Sequence, residues 1–242
     1  MEEIPTNHVE KIGGSLMETP MQIKSTISII GGTGKEGKGL AYRWALAGHS
    51  VIIGSRVIEK AEEAATEINQ LTKAVIPVRG MVNEEAAKIG EIIAVSVPYV
   101  AHIPTLQVIK GNCTGKIVID VCVPLVPPKV TKVQMPKDGS AGQEAQNYLG
   151  LECKVVSAFH NISYDRLLNN EPIDCDVLVC GSDKDAKRVV LELVKDAGMR
   201  GWDAGPIENS VIPEGLTSVL IGINKQFGVV ASGIQITGVN KD

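Results

Sequence analysis

A chain of 242 residues, 44% of them hydrophobic, can bury a sizeable core and form one large domain or a main domain with a smaller partner. A formal net charge of −4 and an aromatic content of 3% supply neither the basic field nor the rings that nucleic-acid binding needs, so no nucleic-acid partner is expected. Five cysteines, Cys113, Cys122, Cys153, Cys175 and Cys180, make an odd count without C-x-x-C spacing, which argues against a disulfide framework or a zinc site and fits buried thiols in a reducing cytosol.

Residues 1–26 contain Pro5, Pro20 and the pair Gly13-Gly14 and lack the apolar core of a secretory signal, so they are expected to form a flexible tail. The β-branched run Ile27-Ser28-Ile29-Ile30 then predicts a strand that stops at a glycine cluster and leads into a helix over Lys38–His49. Gly32, Gly34 and Gly37 match G-x-G-x-x-G. The first glycine allows the turn, the second lets a pyrophosphate approach the main chain, and the third lets helix and strand pack closely. The helix aims its free N–H groups and positive dipole end at that turn. Gly32, Thr33, Gly34, Lys35, Glu36 and Gly37 are therefore expected to hold a dinucleotide.

Ser50–Gly54 predicts a second strand, followed by a helix over about Glu59–Leu71. Where an NAD site carries an acid for the ribose hydroxyls, this chain has Gly54-Ser55-Arg56. A guanidinium at Arg56, a hydroxyl at Ser55 and a point charge at Lys60 suit a 2′-phosphate, so the cofactor is expected to be NADP(H).

The α/β alternation continues with Ala74–Val78 as a strand, Asn83–Ile89 as a short helix and Glu91–Val95 as a strand. A helix at about Ala101–Ile109 and a strand over Lys116–Asp120 follow. The loops after those last two strands carry Val97-Pro98 and Val123-Pro124-Leu125. In a doubly wound sheet ligands lie outside the carboxyl ends of strands, so these loops are expected to frame the nicotinamide. Lys129–Gly142 reads as a long polar loop, Gln143–Leu149 as a helix, and Lys154–Asn161 as a strand that ends in His160 and Asn161.

A second unit starts near residue 166, with a strand over Cys175–Cys180, an amphipathic helix over Asp183–Asp196, and a strand-like step at Arg200–Asp203. A helix over Val211–Lys225 and an alternating segment, Ser232–Gly238, that reads as a closing strand complete it. The expected fold class is α/β, a Rossmann-type doubly wound parallel sheet over 27–165 with a smaller C-terminal α/β domain over 166–242 that closes a coenzyme cleft. Asn224, Lys225 and Gln226 interrupt the apolar stretch Leu216–Val230, so no membrane span is expected and the protein should be cytoplasmic. The same apolar helix offers a dimer face, and a homodimer is expected.

Taken together, the glycine turn, Lys38-Gly39-Leu40-Ala41, Gly54-Ser55-Arg56, Val123-Pro124-Leu125-Val126-Pro127-Pro128, Gly139-Ser140-Ala141, Val155–His160, Asp174–Gly181, Asp203-Ala204-Gly205-Pro206 and Ser232–Gly238 resemble the NADPH-dependent coenzyme F-420 reductases, over about Thr26–Val239. The resemblance implies reversible hydride transfer between nicotinamide C4 of NADP(H) and C5 of the 8-hydroxy-5-deazaflavin ring of coenzyme F-420, the co-substrate. Such a transfer asks the protein to hold two planar rings together and to exclude water; it needs no nucleophile and no metal. By this resemblance His160 and Thr217 lie near the rings, with Pro98 and the 123–125 loop as walls. Gly215 and Ala231 stand where family members can carry serine and glutamate, so no side-chain role transfers to either position. Lys129 and Lys132, just past the pocket, are candidates for holding the anionic tail of the coenzyme.

Two other readings keep the cofactor. One is an NADPH-dependent reductase of flavin and ferric iron, as in the related metalloreductases, or of an imine. The other is a non-catalytic module that senses NADPH.

Overall fold

The computed structural model describes residues 24–239. Its strands are β1 (Thr26–Ile30), β2 (Ser50–Ser55), β3 (Arg79–Val82), β4 (Ile92–Val95), β5 (Ile117–Asp120), β6 (Lys154–Ser157), β7 (Asp176–Gly181) and β8 (Arg200–Asp203). The helices between and after them are α1 (Lys35–Leu46), α2 (Ile58–Thr72), α3 (Asn83–Ile89), α4 (His102–Ile109), α5 (Ala141–Leu149), α6 (Tyr164–Leu167), α7 (Lys184–Asp196) and α8 (Val211–Phe227).

The strands hydrogen-bond in the order β3-β2-β1-β4-β5-β6-β7-β8. The first six run parallel in the doubly wound order, and the chain reverses direction across the sheet between β1 and β4. β7 joins β6 antiparallel through Val156↔Gly181 and Ser157↔Cys180, and β8 runs parallel to β7. The C-terminal α/β unit thus extends the sheet of the dinucleotide fold.

Side chains alternate across a strand, and the isoleucine-rich runs divide between two cores accordingly. Ile27, Ile29, Val51, Ile53, Ile92 and Ala94 face α1, α2 and α7, while Ile30, Ile52, Ile93 and Val95 face α3, α4 and α5. Both faces are covered, which is why these strands read as continuous apolar runs. Trp44 on α1 ties the two units together: its indole N–H donates to the Leu193 carbonyl on α7 at 3.0 Å. Its ring also meets Phe159 edge-on with centroids 5.7 Å apart.

Several elements depart from expectation. α1 starts at Lys35, immediately after the glycine turn. The third strand lies at Arg79–Val82, not at Ala74–Val78. Lys73 closes α2 in a left-handed conformation (φ 47°), and the Asn69 side chain then bonds both the N–H and the carbonyl of Val78, so those groups are withheld from a ladder. Gly80 lets β3 lie against α2, since a Cβ there would come 2.4 Å from the Ala61 carbonyl carbon. Ser232–Gly238 forms no strand. Ile234 accepts from the Asp176 N–H at 2.8 Å, but the next bond, from the Ile236 N–H, goes to the Asp176 carboxylate at 2.7 Å, so the ladder ends after one rung. Of the expected N-terminal tail, positions 1–23 lie outside the described residues. Among the described residues no helix is long and apolar enough to cross a membrane.

Candidate active site

The turn after β1 is built for close approach. Gly31 has φ +72°, and a Cβ there would sit 2.8 Å from the Ser96 carbonyl oxygen. A Cβ on Gly37 would meet the Gly32 Cα at 2.6 Å, so the first and third glycines of the motif press against each other and bring α1 onto β1. Gly34 is different: a Cβ there would find nothing nearer than the Gly31 oxygen at 3.9 Å, so its outer side is open. Gly34 is also the N-cap of α1 and has no side chain to bond the first amides, which leaves them available to an anion. Asn83, which the sequence reading missed, steadies the turn by accepting from the Gly31 N–H at 3.3 Å.

β2 ends beside this turn, where the Gly54 carbonyl accepts from the Gly32 N–H at 3.0 Å. Ser55 is buried and its Oγ accepts from the Val57 N–H at 3.2 Å. Arg56 and Lys60 are exposed, and among the described residues neither pairs with a carboxylate.

A cavity of about 820 Å³ opens at the carboxyl ends of β1, β4, β5 and β6, where the strand order reverses. It brings together nine of the expected site residues: Gly34, Lys35, Glu36, Val97, Pro98, Val123, Leu125, His160 and Thr217. Gly32 and Thr33 are in the turn and Gly37 in α1, Ser55 ends β2, Arg56 follows it and Lys60 is in the first turn of α2, and Pro124 is buried between its two lining neighbours. The far wall was not expected in full. Tyr164 and Asn161 come from the segment after β6, and Leu220, Ile221 and Asn224 from α8. With Thr217 these α8 positions recur at helical spacing, a periodicity that could have revealed them.

His160 is held in place from several sides. Phe159 adopts φ +70°, a left-handed conformation rare for an aromatic residue, and its buried ring on Trp44 holds the turn there. The Thr217 hydroxyl donates to the His160 carbonyl at 2.7 Å. The imidazole is 4% exposed, its Nε2 lies 3.4 Å from the Ser157 hydroxyl, and its Nδ1 has no partner among the described residues. Burial pushes its pKa down to about 4 against the pull of Asp120, so the ring is neutral near pH 7.

Behind the cavity lies a buried pair, His102 Nε2 to Asp120 Oδ2 at 2.7 Å, both fully enclosed. The charge of Asp120 keeps the His102 pKa raised despite burial, and His102 in turn keeps Asp120 low. His102, Asp120 and Cys122 have ligand atoms within 4.8 Å of one another, but the Asp120 oxygens already accept from the imidazole and, at 2.8 Å, from the Cys122 N–H. Glu214 caps α5 by accepting from the Ala141 and Gly142 N–H groups at 2.6 and 3.0 Å, and burial still pushes its carboxyl up to about 8. Glu36, on the cavity wall, is also pushed up to about 8 by burial. The five cysteines are buried and free, as expected.

A doubly wound sheet, an open glycine turn at its crossover and a largely apolar cavity beside that turn define a nucleotide-dependent oxidoreductase of the Rossmann class. Residues 26–124 match the family described as NADP oxidoreductase, coenzyme F420-dependent. Over 88% of its length the chain is 42% identical to the F420-dependent NADP reductase of Methanocaldococcus jannaschii, 98% of which is covered. It is 38% identical to the reductase of the same name from Methanothermobacter thermautotrophicus, over 88% of this chain and 95% of that one. A solved structure from Arthrobacter sp. FB24, provisionally described as an F420-dependent NADP reductase, superimposes with a TM-score of 0.73 at 26% identity, covering 87% of this chain and 98% of the other. The chain belongs to the F420-dependent NADP reductase family.

Proposed function

We propose that this chain transfers a hydride reversibly between C4 of NADP(H) and C5 of the deazaflavin ring of coenzyme F-420. The observation that carries this reading is one continuous, largely apolar cavity lined from the uncapped end of α1 to α8. Its volume of about 820 Å³ lies within the usual range for small-molecule and cofactor sites. The residues present also fit the two ligands. The open side of Gly34 and the free amides of α1 suit a diphosphate, and the unpartnered Nδ1 of His160 is a polar contact that the protein itself leaves unmade.

In this reading Gly32, Thr33, Gly34, Lys35, Glu36 and Gly37 hold the diphosphate, and Ser55, Arg56 and Lys60 hold the 2′-phosphate. Val97, Pro98, Val123, Pro124 and Leu125 form the walls around the rings, exclude water and fix the ring separation. His160, neutral and immobile, presents an imidazole edge to the rings, and Thr217 fixes where that edge lies. Lys129 and Lys132, exposed beside the cavity-lining Val130, are placed to meet the anionic tail of coenzyme F-420. We keep the division into a dinucleotide-binding part, 27–165, and a closing part, 166–242, as part of this proposal. The outer face of α8, with Ile212 63% and Phe227 68% exposed, supports a homodimer, and a cytosolic location is kept as part of the proposal.

Mixing the purified chain with NADPH and oxidised coenzyme F-420 should bleach the deazaflavin absorbance. A flavin or ferric reductase would turn over FMN and ferric chelates faster, and a sensor would bind NADPH without turnover. Either result would defeat the proposal.

A further inference from the structure

Glu36 lies at the uncapped start of α1, against the proposed diphosphate site, and among the described residues no cationic side chain pairs with it. It is the second residue of α1 and lines the cavity together with Gly34, Val97 and Pro98; its Oε1 is buried and has no hydrogen-bond partner among the described residues. The charged and titratable groups around it are engaged or turned away. On α1 itself, the Lys35 ammonium donates to the Tyr164 hydroxyl at 2.8 Å, and Lys38 pairs with Glu67 of α2 at 2.7 Å. On α6, Asp165 is exposed; across the cavity, His160 is neutral and the Tyr99 hydroxyl donates to Glu144 at 2.8 Å. Among the described residues no cation is in salt-bridge contact with the carboxyl, and burial pushes its pKa up to about 8.

An ionised carboxylate in that position would repel a diphosphate and would be costly to bury unpaired. The carboxylic acid, by contrast, has an O–H to donate, and a hydrogen bond from it to an anionic oxygen is of the strong, charge-assisted kind. We propose that Glu36 binds NADP(H) as the neutral acid, donating its O–H to the diphosphate-ribose segment of the cofactor, so that binding takes up a proton in alkaline solution. This rests on the reading that NADP(H) fills the cavity.

The sign follows from the two states. In the free protein Glu36 loses its proton above about pH 8. With the diphosphate present that proton is held more tightly, because a second negative charge disfavours the carboxylate. Affinity should therefore be flat below neutrality and should fall about tenfold per pH unit above about 8, until the bound form also titrates.

The experiment is calorimetric titration of the full chain with NADPH at pH about 8.5, in two buffers of different ionisation enthalpy, with fluorescence titrations from about pH 6.5 to 9.5. The 2′-phosphate is fully ionised there, since its second pKa is about 6, and contributes no uptake. The native chain should take up more than about half a proton per NADPH at the upper end, and its dissociation constant should climb. Glu36→Gln, which keeps the donor and cannot titrate, should bind near neutrality within about threefold of the native chain, show no uptake and give a flat profile. Glu36→Leu should bind more weakly and also stay flat, and it serves if the glutamine variant does not fold. Absence of uptake by the native chain, or equal uptake by either variant, overturns the inference. Failure of NADPH to bind at any pH overturns the cofactor reading instead.

Discussion

The Thr217 hydroxyl donates to the main-chain carbonyl of His160 at 2.7 Å, a bond that joins α8 to the turn after β6 across 57 positions of sequence. It connects the two residues that the family resemblance places near the rings. The Thr217 hydroxyl also lies 3.3 Å from the Pro213 carbonyl on its own helix, so the bond to His160 is the shorter of its two main-chain contacts and the one that reaches outside α8.

Thr217→Val keeps the shape and removes that bond. Hydride transfer in a single turnover should slow by about tenfold or more, since small misplacements of ring-holding groups are costly, and NADPH affinity should barely change. Thr217→Ser should restore most of the rate. A valine variant with the native single-turnover rate would show that the residue merely fills space.

His160 makes stability depend on acid in a definite direction. Its folded pKa of about 4 lies below the ordinary histidine value of 6.5, so the unfolded chain binds a proton first as pH falls. Stability should therefore be lost progressively between pH 6.5 and about 4, by about 3 kcal/mol at the lower end. His160→Asn should flatten this part of a urea-denaturation series. An identical acid slope in the variant would assign the loss to other groups.

Arg56→Ala combined with Lys60→Ala should weaken NADPH by about 10- to 100-fold, the scale of one or two lost charge-assisted bonds, and leave NADH nearly unaffected. Both side chains are exposed, so the fold should tolerate their loss. Equal weakening of both cofactors, measured by fluorescence titration, would rule out a 2′-phosphate at this corner.

Gly37→Ala tests the turn itself. The added methyl must displace the Gly32 Cα, 2.6 Å away, and neither backbone has a flexible end to yield. Overpacking of this kind costs about 1–3 kcal/mol, and the open site at Gly34 would shift with it. Thermal denaturation should show a lowered midpoint, and NADPH binding should weaken more than coenzyme F-420 binding. A variant native in both respects would mean that the third glycine is dispensable.

Much of the dinucleotide half is legible in order along the chain. The run Ile27–Ile30 states a strand, and the glycines after it and the missing acid at Arg56 give, through local rules of sterics and charge, the anion site and phosphate preference proposed above. The local rules fail at Val78, because the competing bond comes from Asn69 one helix turn before the end of α2. They fail again at Ser232–Gly238, where the Asp176 carboxylate takes the place of a main-chain acceptor. Period-two alternation cannot register either substitution.

Local chemistry in the sequence thus determined the class of fold, the glycine turn and the basic residues that follow β2, because glycine spacing and hydrophobic period act over a few residues. Tertiary structure alone decided that Leu220, Ile221 and Asn224 join Thr217 in the cavity wall with Asn161 and Tyr164, that Phe159 takes a left-handed turn beside His160, and that Glu36 Oε1 has no partner among the described residues. Each of those depends on which distant side chains close around a point and on how much water they displace, and burial of that kind is a property of the assembled chain.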